Sequence, residues 1–171
     1  TGDRALRARE AYERTGDEEW NKKSTDAFWE AEWMLREIFD MQEGDGESLQ
    51  TILHYPLADA VQKRRDNYAY LLEHLPGNPT VCPVYTNLLQ DTCPMFFPFL
   101  CEDRESLMKH LAAAGIPPKV YWPVPPFIDI GKYPGAHYIY DHIMSISCDQ
   151  RFTRDDMQRV ADVFQAYMES R

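Results

Sequence analysis

The position of proline divides this chain into a first third that can be helical and a remainder that must be mixed. All 12 prolines among the 171 residues lie at or after Pro56, and a proline inside a helix or a central strand removes a backbone hydrogen bond. Before Pro56 the apolar residues recur at helical spacing. We predict two helices here, followed by a break at residues 44–46: one over 3–14 and one from Thr25 or Asp26 to about Phe39.

After Pro56 the hydrophobic pattern alternates between strand and helix. Residues 95–101 are aromatic and apolar, which predicts a strand, and Pro98 within it indicates the edge of a sheet. Asp103 begins a helix that Gly115 ends. The remaining predicted elements are helices from Pro56 to about Leu75, over 133–142 and after Thr153, and strands over 120–123 and 143–147. This order predicts an α+β fold, with a helical N-terminal segment and then a small, mostly antiparallel sheet with helices packed on one side.

The net charge of −10 excludes several classes of partner. An acidic chain repels the phosphate backbone of nucleic acids and anionic membrane surfaces. No run approaches the ~20 apolar residues of a membrane-spanning helix, and the polar residues 1–19 do not resemble a secretion signal. We therefore expect a cytoplasmic protein that binds neither nucleic acid nor membrane. Its four cysteines form no paired motif, so we expect free thiols.

Three side chains near residue 140 are candidates for a metal site. His137 and Asp141 are four residues apart and share a helix face, whereas His142 is turned away from His137. Two ligands on a short surface helix are better explained as a polar patch, so we expect no metal site. A metal-dependent hydrolase that uses His137 and Asp141 is a distant alternative.

No other pattern predicts a catalytic centre. Ser145 and Ser147 lie in a predicted strand without a nucleophile motif around them, which favours packing or strand hydrogen bonding. Lys22 and Lys23 fall in a predicted polar loop, where nothing would activate an amine for a Schiff base. The basic residues 63–65 are interpreted as a solvated helix face. The residues alone predict neither catalysis nor a bound cofactor in this chain.

Four segments, in this order, are similar to segments of a known family. They are RRDNYAYLL at 64–72, GIPPKVYWPVP at 115–125, YPGAHYIYDHIMSIS at 133–147 and CDQRF at 148–152. Together they resemble the sugar aminotransferases of the DegT/StrS type over residues 56–168, with a weaker likeness over 28–39. These are pyridoxal-phosphate enzymes with the aspartate aminotransferase fold.

The resemblance implies that this chain is the C-terminal part of such an enzyme. Residues 1–55 would be a helical connection from a missing large domain, and residues 56–171 the small domain. The Schiff-base lysine and most cofactor ligands belong to the large domain in this family, so the chain alone is expected to be inactive and to hold no pyridoxal phosphate. The complete enzyme, expected to be a homodimer, would transaminate a keto group, typically of a nucleotide-linked sugar. The resemblance leaves open whether the complete enzyme transaminates its substrate or dehydrates it.

Positions of this sequence that match the family's segments indicate candidate site residues, and some of these positions differ from the family's usual residues. Tyr121 and Trp122 are expected to line the mouth of the substrate cleft, although Trp122 is equally well explained as a core aromatic residue. Tyr121 stands where many members have histidine, His137 replaces a common glutamate, and Ser147 replaces a proline. These departures leave the substrate open.

An alternative function is a stand-alone acidic interaction domain derived from the small domain. It would present aromatic side chains such as Trp29, Trp33 and Tyr138 to a partner protein. For a fragment we also predict exposed apolar surface where the large domain would lie, and hence self-association.

Overall fold

Three helices form the first part of the chain. A computed structural model describes residues 2–38, 44–75, 77–120, 124–125 and 127–171. Helix α1 spans Gly2–Thr15, α2 spans Glu18–Ile38 and α3 spans Gly46–His54. The side chains that α1 and α2 bury are small, namely Ala8, Ala11 and Ala27, so the two helices approach closely. The predicted helix over 3–14 is confirmed.

The predicted start of α2 was wrong, and α3 was not predicted. Asp17 Oδ1 accepts a hydrogen bond from the Glu19 N–H at 2.9 Å, so α2 begins next to Asp17 rather than near Thr25. Lys22 and Lys23 therefore lie in the helix and not in a loop. Helix α3 begins at Asp45, whose Oδ1 accepts from the Ser48 N–H at 2.8 Å, a signal that the neighbouring glycines concealed.

Helix α4 spans Leu57–His74, as predicted, and carries the first large buried side chains among the described residues. Tyr68 and Leu71 are almost completely buried. Leu57, which the pattern placed on the same face, is 65% exposed. The buried face begins only at Ala60, one turn further along.

The sheet has three antiparallel strands in the order β1-β2-β3. Strand β1 spans Val81–Pro83, β2 spans Phe96–Cys101 and β3 spans Ile143–Ser147. Phe97 pairs with Ile146 and Phe99 with Met144, and these four side chains are buried. The α+β class and the strands at β2 and β3 are confirmed, whereas β1 was not predicted.

Pro98 lies in the central strand, so its predicted edge position was wrong. On the side of β3, Pro98 lies opposite Ser145. The backbone N–H and C=O of Ser145 point away from Pro98 and bond to Lys119. Ser145 therefore needs no hydrogen bond from Pro98. On the other side the Pro98 carbonyl accepts from the Val84 N–H at 3.0 Å. Because β1 ends at Pro83, the missing N–H of Pro98 faces a position beyond that strand.

The predicted strand over 120–123 was wrong at its first residue. Val120 is not in a strand; a single bridge forms one residue earlier, between Lys119 and Ser145. Residues 121–123 lie outside the described residues.

Three further helices complete the fold. Helix α5 spans Arg104–Ala113, α6 spans Pro134–His142 and α7 spans Arg154–Glu169, with a 3₁₀ turn at Ile130–Lys132. The predicted caps are confirmed: Asp103 accepts from the Ser106 N–H, and Thr153 forms a capping box with Asp156. Gly115 has φ +72°, the left-handed residue expected after α5.

The chain divides into two units, Thr1–Tyr55 and Pro56–Arg171. The core of the second unit lies between one face of the sheet and helices α4, α5 and α7; its largest fully buried side chains are Tyr68, Phe97, Phe99, Phe164, Leu71, Leu107 and Leu111. Among the described residues, no helix is both long and apolar enough to cross a membrane.

Candidate functional site

The two residues predicted to line a substrate cleft, Tyr121 and Trp122, lie outside the described residues. The described chain before them ends beside β3. The Lys119 N–H donates to the Ser145 carbonyl at 2.9 Å, and the Ser145 N–H donates to the Lys119 carbonyl at 2.9 Å. The Lys119 Nζ lies 4.9 Å from the centroid of the Phe96 ring. Lys119 is therefore held against the sheet.

The histidines of α6 follow the predicted geometry. His137 Nε2 lies 3.2 Å from Asp141 Oδ2, and both side chains are about half exposed. His142 points elsewhere, with its Nε2 3.3 Å from Glu102 Oε2. The prediction that only His137 and Asp141 point together is confirmed. Across the described parts of the chain, no group of three histidine, cysteine or acidic side chains is placed to hold a metal ion.

Glu102 joins α6 to the end of β2. The Tyr138 hydroxyl donates to Glu102 Oε1 at 2.6 Å, and the Tyr138 and His142 rings stack with centroids 4.1 Å apart. The hydrogen bond to the Glu102 carboxylate raises the pKa of Tyr138, so the phenol remains a donor. The sequence did not reveal this cluster, because Glu102 and Tyr138 are 36 residues apart.

Asn67 bonds the matched segment at 64–72 to the turn that follows β3. Its buried Nδ2 donates to the carbonyls of Cys148, Asp149 and Phe152, at 3.4, 3.0 and 3.1 Å. Arg64 Nε donates to Gln150 Oε1 at 2.7 Å. Two of the four matched segments, 64–72 and 148–152, are thus bonded to each other.

The strand end and turn after β3 hold two groups with shifted pKa values. Hydrogen bonds from Arg151, with Nη2 2.6 Å from Asp149 Oδ2, lower the pKa of Asp149 to about 2. Burial raises the pKa of the Cys148 thiol to about 12, which makes it an inert core thiol. All four cysteines, each within the described residues, are free, as expected.

The two serines of β3 differ. Ser147 Oγ donates to Asp149 Oδ2 at 3.2 Å. Ser145 is 2% exposed, and its Oγ has no hydrogen-bond partner among the described residues. A buried hydroxyl without a partner is uncommon and requires an explanation. Only structure could show it, because a serine in a strand has no sequence signature for this state.

The six lysines, all described, lie at the surface or half-buried. Lys23 pairs with Glu19 at 2.7 Å and lies 4.5 Å from the centroid of the Trp20 ring. Lys109 and Lys132 pair with exposed carboxylates. Lys63 is half-buried, and Lys22 and Lys119 are exposed. None is enclosed as a Schiff-base lysine needs to be.

Comparison with known proteins decides the family. Residues 52–165 match the model of the DegT/DnrJ/EryC1/StrS aminotransferase family. The chain belongs to this family. The resemblance inferred from the four segments is confirmed, and the matched region contains Asn67 together with the turn that it binds. No curated protein matches the chain.

Solved aminotransferases share the fold. DesV from S. venezuelae, solved in complex with a ketimine intermediate, is 24% identical with a TM-score of 0.59, covering 65% of this chain and 32% of DesV. A putative sugar aminotransferase from Streptococcus pneumoniae, in its PLP-form, is 18% identical with a TM-score of 0.61, covering 71% and 34%. PseC of Helicobacter pylori, an aminotransferase involved in the biosynthesis of pseudoaminic acid, is 18% identical with a TM-score of 0.58, covering 72% and 36%.

These likenesses establish the fold, and they also show how much of each relative the chain covers. The DegT/DnrJ/EryC1/StrS chain described here spans about a third of the length of the solved aminotransferases that it matches.

Proposed function

We propose that this chain is the small-domain part of a pyridoxal-phosphate-dependent aminotransferase acting on a keto group, typically that of a nucleotide-linked sugar. The observation that carries the proposal is the family match over residues 52–165, together with a structural match that covers only about a third of each solved relative. The first unit, Thr1–Tyr55, would connect to a large domain, and the second, Pro56–Arg171, would be the small domain.

The residues of this chain alone do not fit the cofactor. Pyridoxal phosphate needs an enclosed lysine and donors for a phosphate group. Lys23, which lies in a groove with Arg4 and Arg7 between α1 and α2, is half exposed and already paired with Glu19. Arg4 and Arg7 likewise pair with Glu30 and Asp3. We therefore assign no chemical step to this chain and propose that the reactive lysine lies in the large domain.

The proposed role of the second unit is to close over the large domain and shape the substrate cleft. Tyr121 and Trp122 would line the mouth of that cleft. Lys119, held against β3 by two backbone hydrogen bonds of 2.9 Å, supports this role because it anchors the segment that leads to them. We further propose that the complete enzyme is a cytoplasmic homodimer.

Reductive trapping tests whether the lysine lies elsewhere. The 171-residue chain is incubated with pyridoxal phosphate, treated with borohydride and digested, and adducts at each lysine are counted by mass spectrometry. We expect low, scattered labelling across the six lysines. A stoichiometric adduct at one lysine, lost in its arginine variant, would contradict the proposal.

The cleft assignment is tested in a polypeptide that also carries the large domain. Trp122→Ala and Tyr121→Phe are expected to raise the KM for the keto acceptor, with the absorbance of bound pyridoxal phosphate unchanged. Tyr140→Phe, at an exposed position of α6, is the matched control. If KM is unchanged and unfolding is easier, Trp122 is a core residue.

The interaction-domain alternative has one observation in its favour. Trp29 and Trp33 on α2 are 54% and 62% exposed, as expected of side chains that meet a partner. These exposed side chains also support the prediction of apolar surface where the large domain would lie, and the predicted self-association can be measured by sedimentation velocity. Coding sequence upstream of Thr1 separates the two functions: a long frame with a large domain supports the enzyme, and a nearby start supports the adaptor.

A further inference from the structure

A cavity in the second unit has no role in the function proposed above. It lies between loop 84–95 and strands β2 and β3, and has a volume of about 510 Å³. That size is within the range of small-molecule sites in proteins, which are concave, mostly apolar and few per protein. We call it the loop cavity.

The wall of the loop cavity is held in place by α4. Arg65 Nη1 donates to the Leu89 carbonyl at 2.9 Å and also to the Thr92 carbonyl, while Arg64 Nη1 donates to the Pro94 carbonyl at 3.3 Å. At the other end of the loop, the Tyr68 hydroxyl donates to the Tyr85 carbonyl at 3.3 Å. The cavity is therefore formed before any ligand binds.

The lining is mostly apolar and carries no charge, although it also includes Asn87, Thr92 and Ser145. Tyr68, Tyr85 and Phe96 contribute aromatic rings, and Leu88, Met95 and Ile143 contribute aliphatic side chains. Among the described residues, no acidic or basic side chain lines the cavity. An anion such as a phosphate would lose its hydration here without gaining a partner. The lining therefore selects uncharged molecules.

Ser145 supplies one polar position. It forms part of the cavity wall, is 2% exposed, and its Oγ lacks a hydrogen-bond partner among the described residues. Its backbone groups are fully used by Lys119. Because the Oγ is shielded in the ligand-free chain, the Ser145 hydroxyl must turn toward the cavity, where a ligand hydroxyl or carbonyl gives it the partner that it lacks.

We propose that the loop cavity binds a small, uncharged molecule that has an apolar ring and one hydroxyl or carbonyl group. Large apolar side chains stand exposed at its rim, where Tyr85 and Met95 are 61% and 65% exposed, so the cavity is open to solvent and a ligand can enter. All of the lining residues belong to this chain, so binding can be tested without the large domain or pyridoxal phosphate.

The cysteines provide a built-in test. Cys93 and Cys82 are both exposed, but only Cys93 lines the loop cavity. Alkylation by iodoacetamide is followed at each cysteine by mass spectrometry, with 4-methylphenol as the probe. We expect saturating probe to slow labelling of Cys93 by about fivefold or more and to leave Cys82 unchanged, since a bound ring excludes the reagent. Equal rates at Cys93 with and without probe would overturn the proposal.

Two further probes define the ligand class. 4-Methylphenyl phosphate carries the same ring with a charged group, and we expect no protection of Cys93 at the same concentration. Equal or better protection by the phosphate would overturn the selection for uncharged molecules. N-acetyltyrosinamide places the ring on a peptide unit; protection by it and not by 4-methylphenol would make the occupant a protein side chain and overturn the small-molecule assignment.

Variants separate binding from folding. Thr92→Trp places a ring in the cavity and should abolish protection, whereas Thr86→Trp, exposed in the same loop but outside the lining, should preserve it. In Ser145→Ala, 4-methylphenol should bind about tenfold more weakly and no better than toluene, as expected for one lost hydrogen bond. If the preference for 4-methylphenol over toluene survives in Ser145→Ala, Ser145 is not the polar contact. These outcomes are independent of the pyridoxal-phosphate test.

Discussion

The two units of the chain bury different kinds of side chain. Among its described residues, the first unit buries only three alanines, and several of its large apolar side chains, such as Trp33 and Leu35, are more than half exposed. The second unit encloses phenylalanine, tyrosine and leucine side chains between a sheet and three helices. Because buried apolar area is the main source of folding stability, the second unit has a core of its own and the first does not.

The largest difference between the units should appear when a ring is removed from each. The Phe97 ring is fully buried, 5.0 Å from the Tyr68 ring, so Phe97→Ala should lower the free energy of unfolding by about 3–5 kcal/mol. Trp33→Ala removes a larger ring from the first unit, yet should cost less than about 0.5 kcal/mol. Urea titrations followed by circular dichroism measure both. Comparable losses would mean that the first unit has a core of its own.

A buried amide gives the next largest effect. Asn67→Ala removes the amide that donates to three carbonyls of the turn at 148–152, and should cost about 1–3 kcal/mol. Asn21→Ala in α2 removes a single 3.0 Å bond to Glu18 and should change stability by less than about 0.5 kcal/mol. The same titrations apply, and a neutral Asn67→Ala would remove the role given to the matched segment at 64–72.

Acid should weaken the second unit through Asp149. Its pKa is lowered from 3.8 to about 2 in the folded chain, so the stabilisation is present above pH 3.8 and is lost as the pH falls through about 2. Because Arg151 is largely exposed, we expect about 1–2 kcal/mol rather than the full value of the shift. Asp149→Asn should lose this amount at pH 7 and show a flatter decline between pH 4 and pH 2. Asp26→Asn, which removes an exposed carboxylate from α2, is the control.

The smallest effect should distinguish two helix caps of the same kind. Thr153→Ala removes the capping box of α7, whose inner face lies in the core, and should cost about 1 kcal/mol of global stability. Asp45→Ala removes the cap of α3, of whose residues Gly46–His54 none is buried. Asp45→Ala should unfold α3 locally without shifting the midpoint of the main unfolding transition. Amide exchange measured by NMR resolves the two, and a shift of the main transition by Asp45→Ala would tie α3 to the core.

In the second unit the sequence predicted several helix ends that are encoded locally, whereas the local caps Asp17 and Asp45 of the first unit were missed. Asp103, Gly115 and Thr153 mark the ends of helices by side-chain or backbone chemistry within a few residues, and all three were recognised. Strand β1 was missed because its three residues become a strand only by pairing with β2. Pro98 was placed at an edge because its propensity for that position was overridden by the early end of β1.

The sites depend still more on distant pairs. The family match was foreseen from four segments that include residues 64–72 and 148–152, but the hydrogen bonds from Asn67 that join these two segments were not. Glu102 and Tyr138 meet only in the folded chain. The loop cavity combines α4, loop 84–95 and β3, and no single segment of the sequence carries a signal for it.

The bonds of Asn67 also set an order of events during synthesis. The carbonyls that it binds lie 81, 82 and 85 residues further along, and a ribosome adds about 5–20 residues per second. Helix α4 therefore waits about 4–17 seconds for its partners to be made. During that interval the Asn67 amide lacks the acceptors that the finished protein gives it, although Phe97, which packs on Tyr68, is made 29 residues after it.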